Sequence, residues 1–200
     1  MVHSTITKLY DTFAEARLVV TDLEAAGIPH SHVSIVANNA EDHEIDKNAK
    51  VARDAGIGAT AGGILAGGAG LLAGLGIMAI PGVGPVVAAG WLASTLAGAA
   101  TGVAAGAATG GVIGVLTESG VDHDEAHIYA EGIRRGGALV SVRTDDKWVG
   151  LAREIMNRRP AVDPALRGQA YRASGWSAFD ATTPPYTPAQ IEQDRAQFRN

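Results

Sequence analysis

The chain of 200 residues contains no cysteine. Disulfide bonds, thiolate nucleophiles and cysteine-based zinc sites are therefore excluded. Its formal net charge is −5, so it lacks the basic excess that marks nucleic-acid-binding proteins. Residues 1–5 also lack the basic stretch followed by an apolar run that is typical of a secretory signal. We therefore expect a protein of the cytoplasm, or of the cytoplasmic face of the inner membrane, with no nucleic acid among its partners.

Charge is also missing from a long internal stretch. Between Asp54 and Glu118 there is no Asp, Glu, Lys, Arg or His, and this stretch holds 18 of the 26 glycines. The stretch breaks once, at a turn motif formed by Pro81, Gly82, Gly84 and Pro85. A Pro-Gly turn between two apolar segments predicts a helix, a tight reversal and a second helix.

Glycines recur every four residues in both predicted helices. In the second helix this row holds six of the seven glycines between 86 and 117: Gly90, Gly98, Gly102, Gly106, Gly110 and Gly114. The first helix carries Gly58, Gly62, Gly70 and Gly74 at the same spacing. Each glycine costs a helix about 1 kcal/mol relative to alanine, so a regular row favours a groove that another backbone can approach closely. We predict a glycine-zipper helical hairpin whose glycine faces form an oligomerisation or lipid interface.

The surroundings of this hairpin can be lipid or protein. As helices, residues 55–78 would span about 36 Å and residues 86–117 about 48 Å, and a bilayer core needs about 30 Å. Alanine and glycine bury little apolar area, however, which weakens the case for insertion. Two bare apolar helices would leave a large exposed patch on a monomer. Our main expectation is a homo-oligomer that associates with membrane lipid; the alternative is a soluble shell or filament with the hairpins as its dry core.

Patterned sequence on both sides of the uncharged stretch predicts an α+β domain. Apolar alternation indicates strands at 5–11, 32–37 and 138–143, and helical spacing indicates helices after Thr12, after Asp122, and after Asp145 or Asp146. This order predicts a ferredoxin-like β-α-β/α-β-α sandwich with three strands and a long inserted glycine-zipper α-helical hairpin. The expected core is Ile6, Val20, Leu23, Val33, Ile35, Val140, Val142, Leu151 and Ile155.

This interpretation divides the chain into three parts. Residues 1–43 and 118–160 form a discontinuous α/β domain, residues 44–117 form the hairpin, and residues 161–200 form an extended tail. The tail combines prolines with scattered aromatic residues, and a helix is expected over 188–198. Pure linkers lack such aromatics, so we expect the tail to lie across its own domain or a neighbouring subunit. A mostly disordered tail is the alternative.

Residues that could carry chemistry are few. His123 and His127 are four residues apart on a predicted helix, a spacing at which two histidines can bind one metal ion. A His-Glu-x-x-His motif and an evident third ligand are both missing, and helix capping by Asp122 explains the nearby acidic residues. The phosphate-binding pattern Gly-x-x-x-x-Gly-Lys-Ser/Thr is also absent. We predict no enzyme activity, no metal, no cofactor and no small-molecule substrate.

Three stretches resemble one known family. They are Asp11-Thr12-Phe13-Ala14-Glu15-Ala16, the turn Ile80-Pro81-Gly82-Val83-Gly84-Pro85, and the return strand Gly136-Gly137-Ala138-Leu139-Val140-Ser141-Val142-Arg143. Over residues 4–160 the chain resembles the bacterial general stress protein 17M-like family. The resemblance implies a small α/β domain with an inserted glycine-zipper hairpin and a role in the stress response. It implies no catalytic residues.

We therefore expect a stress-associated structural protein that oligomerises and contacts membrane lipid. The soluble shell or filament is the first alternative to this expectation. A small-ligand-binding regulatory module is the second, and it rests only on analogy with other small ferredoxin-like domains.

Overall fold

The structure is a computed structural model that describes residues 3–38, 75–80, 82–100 and 107–198. The strands in these ranges are β1 (His3–Tyr10), β2 (Val33–Asn38), β3 (Gly76–Ile80), β4 (Gly84–Gly90) and β5 (Ala138–Asp145). The helices are α1 (Phe13–Ala25), α2 (Trp91–Ala100), α3 (Ala107–Glu118), α4 (His123–Arg134), α5 (Asp146–Asn157), α6 (Pro164–Ala173) and α7 (Pro188–Gln197). A short 3₁₀ turn, His30–His32, precedes β2.

The strands form one sheet in the order β1-β5-β2-β4-β3, and every neighbouring pair is antiparallel. Strands β1 and β2 run parallel to each other because both are antiparallel to β5, which lies between them. The predicted β-α-β unit is therefore present in split form. In the register of the central strands, β5 places Val142 opposite Ile6 of β1 and Val140 opposite Ile35 of β2.

The predicted strands and their helices are confirmed at both ends of the chain. Thr12 caps α1 by accepting a hydrogen bond from the Glu15 amide at 3.2 Å. Asp122 caps α4 by accepting from the Asp124 and Glu125 amides. Such side chains satisfy amides that the first helical turn leaves unpaired. The capping signals in the sequence therefore located these two helix starts correctly.

The turn between 80 and 84 corrects the predicted helical hairpin. It joins two strands, β3 and β4, and the Val83 amide donates to the Ile80 carbonyl at 3.0 Å. Gly82 and Gly84 have φ of +74° and +96°, a region that glycine enters without strain. The prediction of helix was wrong over 76–78 and 86–90, since a short apolar run looks the same in a buried strand as in a buried helix. Pro81 lies outside the described residues.

The sheet is covered on both faces, and each face has its own apolar core. Helices α1 and α5 cover one face, where Ile6, Val20, Leu23, Val33, Ile35, Val140, Val142 and Ile155 are buried as predicted and Leu151 is partly buried. Helices α2, α3 and α4 cover the other face, with Val86, Leu92, Leu96, Val115, Leu116, Tyr129 and Ile133 in its core. A sheet buried on both sides favours strands that are largely apolar.

The second core combines residues of the uncharged stretch with residues of the flanking domain. Strand β4 pairs with β2, and Val86, Leu92 and Leu116 pack with Tyr129 of α4. The described part of residues 44–117 is thus built into the sheet and core of the flanking domain. Its apolar residues supply a strand with partners on both sides, β4, and two helices that cover one face of the sheet.

Residues 161–198 are also part of this packed unit. They contain α7, which confirms the helix predicted over 188–198, and α6, which was not predicted. The Val162 amide donates to the Leu9 carbonyl at 2.8 Å, and Ile191 is fully buried. The segment therefore lies across its own domain, one of the two positions expected for it.

Substitution of two glycines tests this packing. At Gly90, φ is +86° and an added Cβ would lie 2.2 Å from the Val33 carbonyl oxygen of β2, whereas a Cβ on Gly150 in α5 meets nothing within 4 Å. We expect Gly90→Ala to lower the free energy of unfolding by at least about 2 kcal/mol, from backbone strain and the clash. We expect Gly150→Ala to raise it by about 1 kcal/mol, from helix propensity. Urea denaturation measures both, and similar changes in the two variants would contradict the close approach of β4 to β2.

Candidate functional site

The structure describes only part of the predicted glycine interface. Gly58, Gly62, Gly70, Gly74, Gly102 and Gly106 lie outside the described residues. Gly98 lies in α2, and Gly110 and Gly114 lie in α3. Gly90 ends strand β4, so the predicted row does not start on a helix. Gly111, with φ of 50° and ψ of −137°, interrupts α3 as well. The described glycines therefore do not share one continuous helical row.

The uncharged stretch instead contributes an edge of the sheet. Strand β3, Gly76–Ile80, lies at the edge, and β4 is its strand partner among the described residues. Its sequence contains no charged residue and no proline. Natural edge strands commonly carry lysine or proline, which prevent pairing with another chain. Strand β3 contains neither lysine nor proline.

The opposite edge of the sheet, β1, is better protected. It carries Lys8, and the Val162 amide donates to the Leu9 carbonyl at its end. The two edges thus differ in how readily each would accept a further strand.

A stretch of the C-terminal region lies over the turn beside β3. We call residues 176–185 the cover segment. A Cβ added to Gly82 would lie 2.5 Å from Ala181 Cα, and one added to Gly84 would lie 2.7 Å from Pro185 Cβ. Phe179 of the same segment packs against the second core. The two glycines of the predicted hairpin turn therefore lie against the chain's own C-terminal region.

Helix α4 holds the middle of the cover segment through a histidine. The Phe179 amide donates to His127 Nδ1 at 3.2 Å, and the His123 ring lies edge-on with its centroid 4.8 Å from that of His127. Because Nδ1 accepts a hydrogen bond, the neutral His127 ring carries its proton on Nε2. Burial lowers the pKa of His127, the His123 charge lowers it further, and Asp124 acts in the opposite direction.

The two histidines open onto a surface cavity of about 170 Å³. Its lining residues are His123, Asp124, His127, Arg172, Trp176, Ser177 and Ala178. Metal-binding histidines normally donate a proton from the nitrogen that does not face the metal. In His127, Nδ1 accepts the hydrogen bond from Phe179 and Nε2 carries the proton. Neither nitrogen of the neutral ring therefore offers a free lone pair to a metal ion. Within the described ranges, no cluster of three or more metal-binding side chains occurs. The reaction that this arrangement allows is uptake of a proton by His127.

A buried charge cluster fixes the rest of the C-terminal region to α4. Glu131 is fully buried, and its Oε1 accepts from Arg134 Nη2 and from Arg135 Nε, each at 2.6 Å. Arg135 Nη1 also donates to Asp194 Oδ1 of α7 at 2.6 Å. Burial lowers the pKa of Arg135, but its hydrogen bond with Glu131 and the charges of Glu131 and Asp194 outweigh burial and leave it raised. Helix α7 is thus anchored by charge-assisted bonds inside the protein.

Aromatic rings complete this anchor. The Arg135 guanidinium lies 4.2 Å from the ring centroid of Tyr171 in α6 and 5.2 Å from that of Tyr186. Such cation–π contacts gain strength when they are shielded from water. The spacing of Glu131 and Arg135 along α4 was readable as an ion pair, but the sequence held no signal that joins Arg135 to Asp194.

The fold belongs to the mixed α/β class, with an antiparallel sheet and helices on both of its faces. Comparisons of the chain with protein-family models, with curated proteins and with solved structures find no match. The resemblance to the 17M-like stress family therefore stays a prediction. Within the described residues, no helix combines the length and the apolar character needed to cross a bilayer.

The anchor can be tested against an exposed ion pair of the same protein. Asp194→Ala leaves Arg135 Nη1 without its carboxylate in a buried site, and we expect a loss of about 1–3 kcal/mol in the free energy of unfolding. Glu154→Ala removes an exposed pair with Arg158, and we expect a loss below about 0.5 kcal/mol. Alanine is a good helix former in both positions. Equal losses in urea denaturation would show that the buried anchor contributes no more than a surface pair.

Proposed function

We propose that this protein is a non-enzymatic, stress-associated structural protein that self-associates through its uncharged stretch, residues 55–117, and as an oligomer contacts membrane lipid from the cytoplasmic side. The observation that carries the proposal is the edge strand β3, which presents an uncharged edge next to a turn of two glycines. Unpaired amides and carbonyls at such an edge can pair with the same strand of another copy.

Self-association is the step for which the fold gives the stronger support. Strand β3 has one strand partner among the described residues, while the other edge, β1, carries Lys8 and a bond from Val162. The small-residue spacing of Gly98, Gly102 and Gly106 in the sequence favours a second route, since glycines four residues apart let another backbone approach closely. Contact with lipid follows as a property of the oligomer, in which several uncharged stretches combine their weak individual affinities.

The resemblance to the stress family supports the same proposal at the level of architecture. The split β-α-β unit, in which β5 lies between β1 and β2, resembles the corresponding part of a ferredoxin-like sandwich. The β3–β4 hairpin extends that unit on one side. The proposed role in stress rests on the resemblance alone.

A soluble assembly is the second candidate function. Its supporting observation is that Val86, Leu92, Leu96 and Leu116 from the uncharged stretch are buried in the protein's own core. Burial in this core explains why these residues are apolar, and contact with lipid is not needed to explain it. In this alternative the copies meet through the same edge and glycine surfaces, and no lipid takes part.

Replacing glycines of the second row tests the proposal. Gly102→Leu/Gly106→Leu raises helix propensity but blocks close approach of another backbone. Gly150→Leu, in open space on α5, is the matched control for the same change of residue type. We expect the wild type and the control to form oligomers that co-purify with phospholipid. The double variant should form smaller particles and lose much of the lipid.

Light scattering coupled to size exclusion gives the particle mass, and extraction with organic solvent gives the phospholipid content. A wild-type oligomer without extractable lipid in detergent-free buffer would replace the main proposal with the soluble assembly. A wild-type monomer at all accessible concentrations would contradict both.

A further inference from the structure

We propose that His127 is a pH-sensitive latch: its neutral ring holds the cover segment, residues 176–185, over the β3–β4 turn, and protonation of the ring releases that segment. This inference concerns contacts within one chain and does not rest on the proposed self-association.

The geometry of one hydrogen bond carries the inference. The Phe179 amide donates to His127 Nδ1 at 3.2 Å, so Nδ1 acts as an acceptor. A protonated histidine carries hydrogen on both nitrogens and can accept from neither. Protonation therefore places an N–H group of the ring against the N–H group of Phe179. The attraction at the centre of the cover segment is replaced by repulsion between two donors.

The contacts on either side of Phe179 show what the latch holds in place. The Trp176 amide donates to the Tyr171 carbonyl at 3.1 Å, which ties the start of the cover segment to α6. Further along, Ala181 and Pro185 lie against the turn glycines of the β3–β4 hairpin. Phe179 lies between these two points. Loss of its bond to α4 would free the stretch that covers the turn while leaving the connection to α6 intact.

The charged and titratable groups around His127 favour the neutral ring. His123 lies 4.8 Å away between ring centroids on the same helix, and Arg172 of α6 lines the same cavity. Both are cationic when protonated and therefore oppose a charge on His127. Asp124 on α4 favours that charge, and Asp180 follows Phe179 in the cover segment. Burial, the largest effect, lowers the pKa of His127 in the latched state.

The direction of the pH effect follows from the lowered pKa of His127 in the latched state. An unlatched His127 has an ordinary pKa of about 6.5, and the latched one has a lower value. The latched state therefore keeps its full stability above about pH 6.5 and loses stability as the pH falls towards the lower, latched value. Each unit of difference between the two pKa values raises the open fraction about tenfold.

Release would uncover the turn that holds Gly82 and Gly84, directly beside the end of edge strand β3. Acidification would thereby enlarge the accessible surface at this edge of the sheet. The opposite edge, at β1, takes no part in the change.

Amide exchange at Phe179, followed by NMR on the full chain, tests the latch directly. Corrected for intrinsic rates, we expect protection of this amide to fall between about pH 7.5 and about pH 5, because protonation removes its acceptor. The ring nitrogens of His127 should show the neutral form with hydrogen on Nε2 at the higher pH. Their titration midpoint should coincide with that of the Phe179 amide.

Three variants separate the latch from other acid effects. His127→Asn places an oxygen that cannot titrate near the position of Nδ1, and Phe179 should stay protected at both pH values. His127→Phe removes the acceptor, and protection should be low at both. Glu125→Gln removes a nearby carboxyl whose pKa is raised by burial and by Asp122 and Asp163, and it should keep the wild-type fall.

The amides of β5 in the same spectra report whether each variant is folded. Undiminished protection of Phe179 in the wild type at about pH 5, or an equal fall in His127→Asn, would overturn the proposal. Because the readout is one amide within the fold, it holds whether or not the protein self-associates.

Discussion

The pairing of β4 with β2 is the constraint on which the rest of the arrangement depends. Strand β4 has sheet partners on both sides and apolar cores above and below, with Val87 facing the α1–α5 core and Val86 facing the second core. No charged side chain fits such a position without a buried partner. The absence of charge in this part of the chain is therefore a requirement of the sheet. It also brings α2 and α3, which follow β4 in the chain, onto the second face.

The C-terminal region packs against that second face and against the β3–β4 turn. Its attachment combines a fully buried carboxylate on α4, the Arg135–Asp194 pair and the bond from Phe179 to His127. Two of these contacts are ion pairs, whereas the third depends on a titrating ring. The region can thus stay anchored by α7 while the segment over the β3–β4 turn responds to acid. The same region thus contributes to the stability of the fold and covers the β3–β4 turn.

Much of the α/β framework could be predicted from local pattern, and the part that failed has a physical reason. Strands β1, β2 and β5 and helices α1, α4 and α5 follow clear periodicity, and Thr12 and Asp122 mark helix starts. The Pro-Gly turn was recognised as a reversal, but the sequence did not decide between strands and helices on its two sides. The adjacent β-branched residues Val86 and Val87 were the available strand signal. The contact of His127 with Phe179 joins residues 52 positions apart, and no local pattern reports it.

Hydrogen exchange of β3 and β4, measured over a dilution series, tests both the sheet that the uncharged stretch builds and the proposal that copies meet at β3. Strand β4 has partners on both sides within one chain, so its amides should exchange slowly at every concentration. The amides of β3 that face away from β4 should be protected in concentrated protein and exchange quickly after dilution. Rapid exchange of β4 would contradict the described sheet. Exchange of β3 that does not change with concentration, across a range in which the particle mass does change, would contradict its role as the interface.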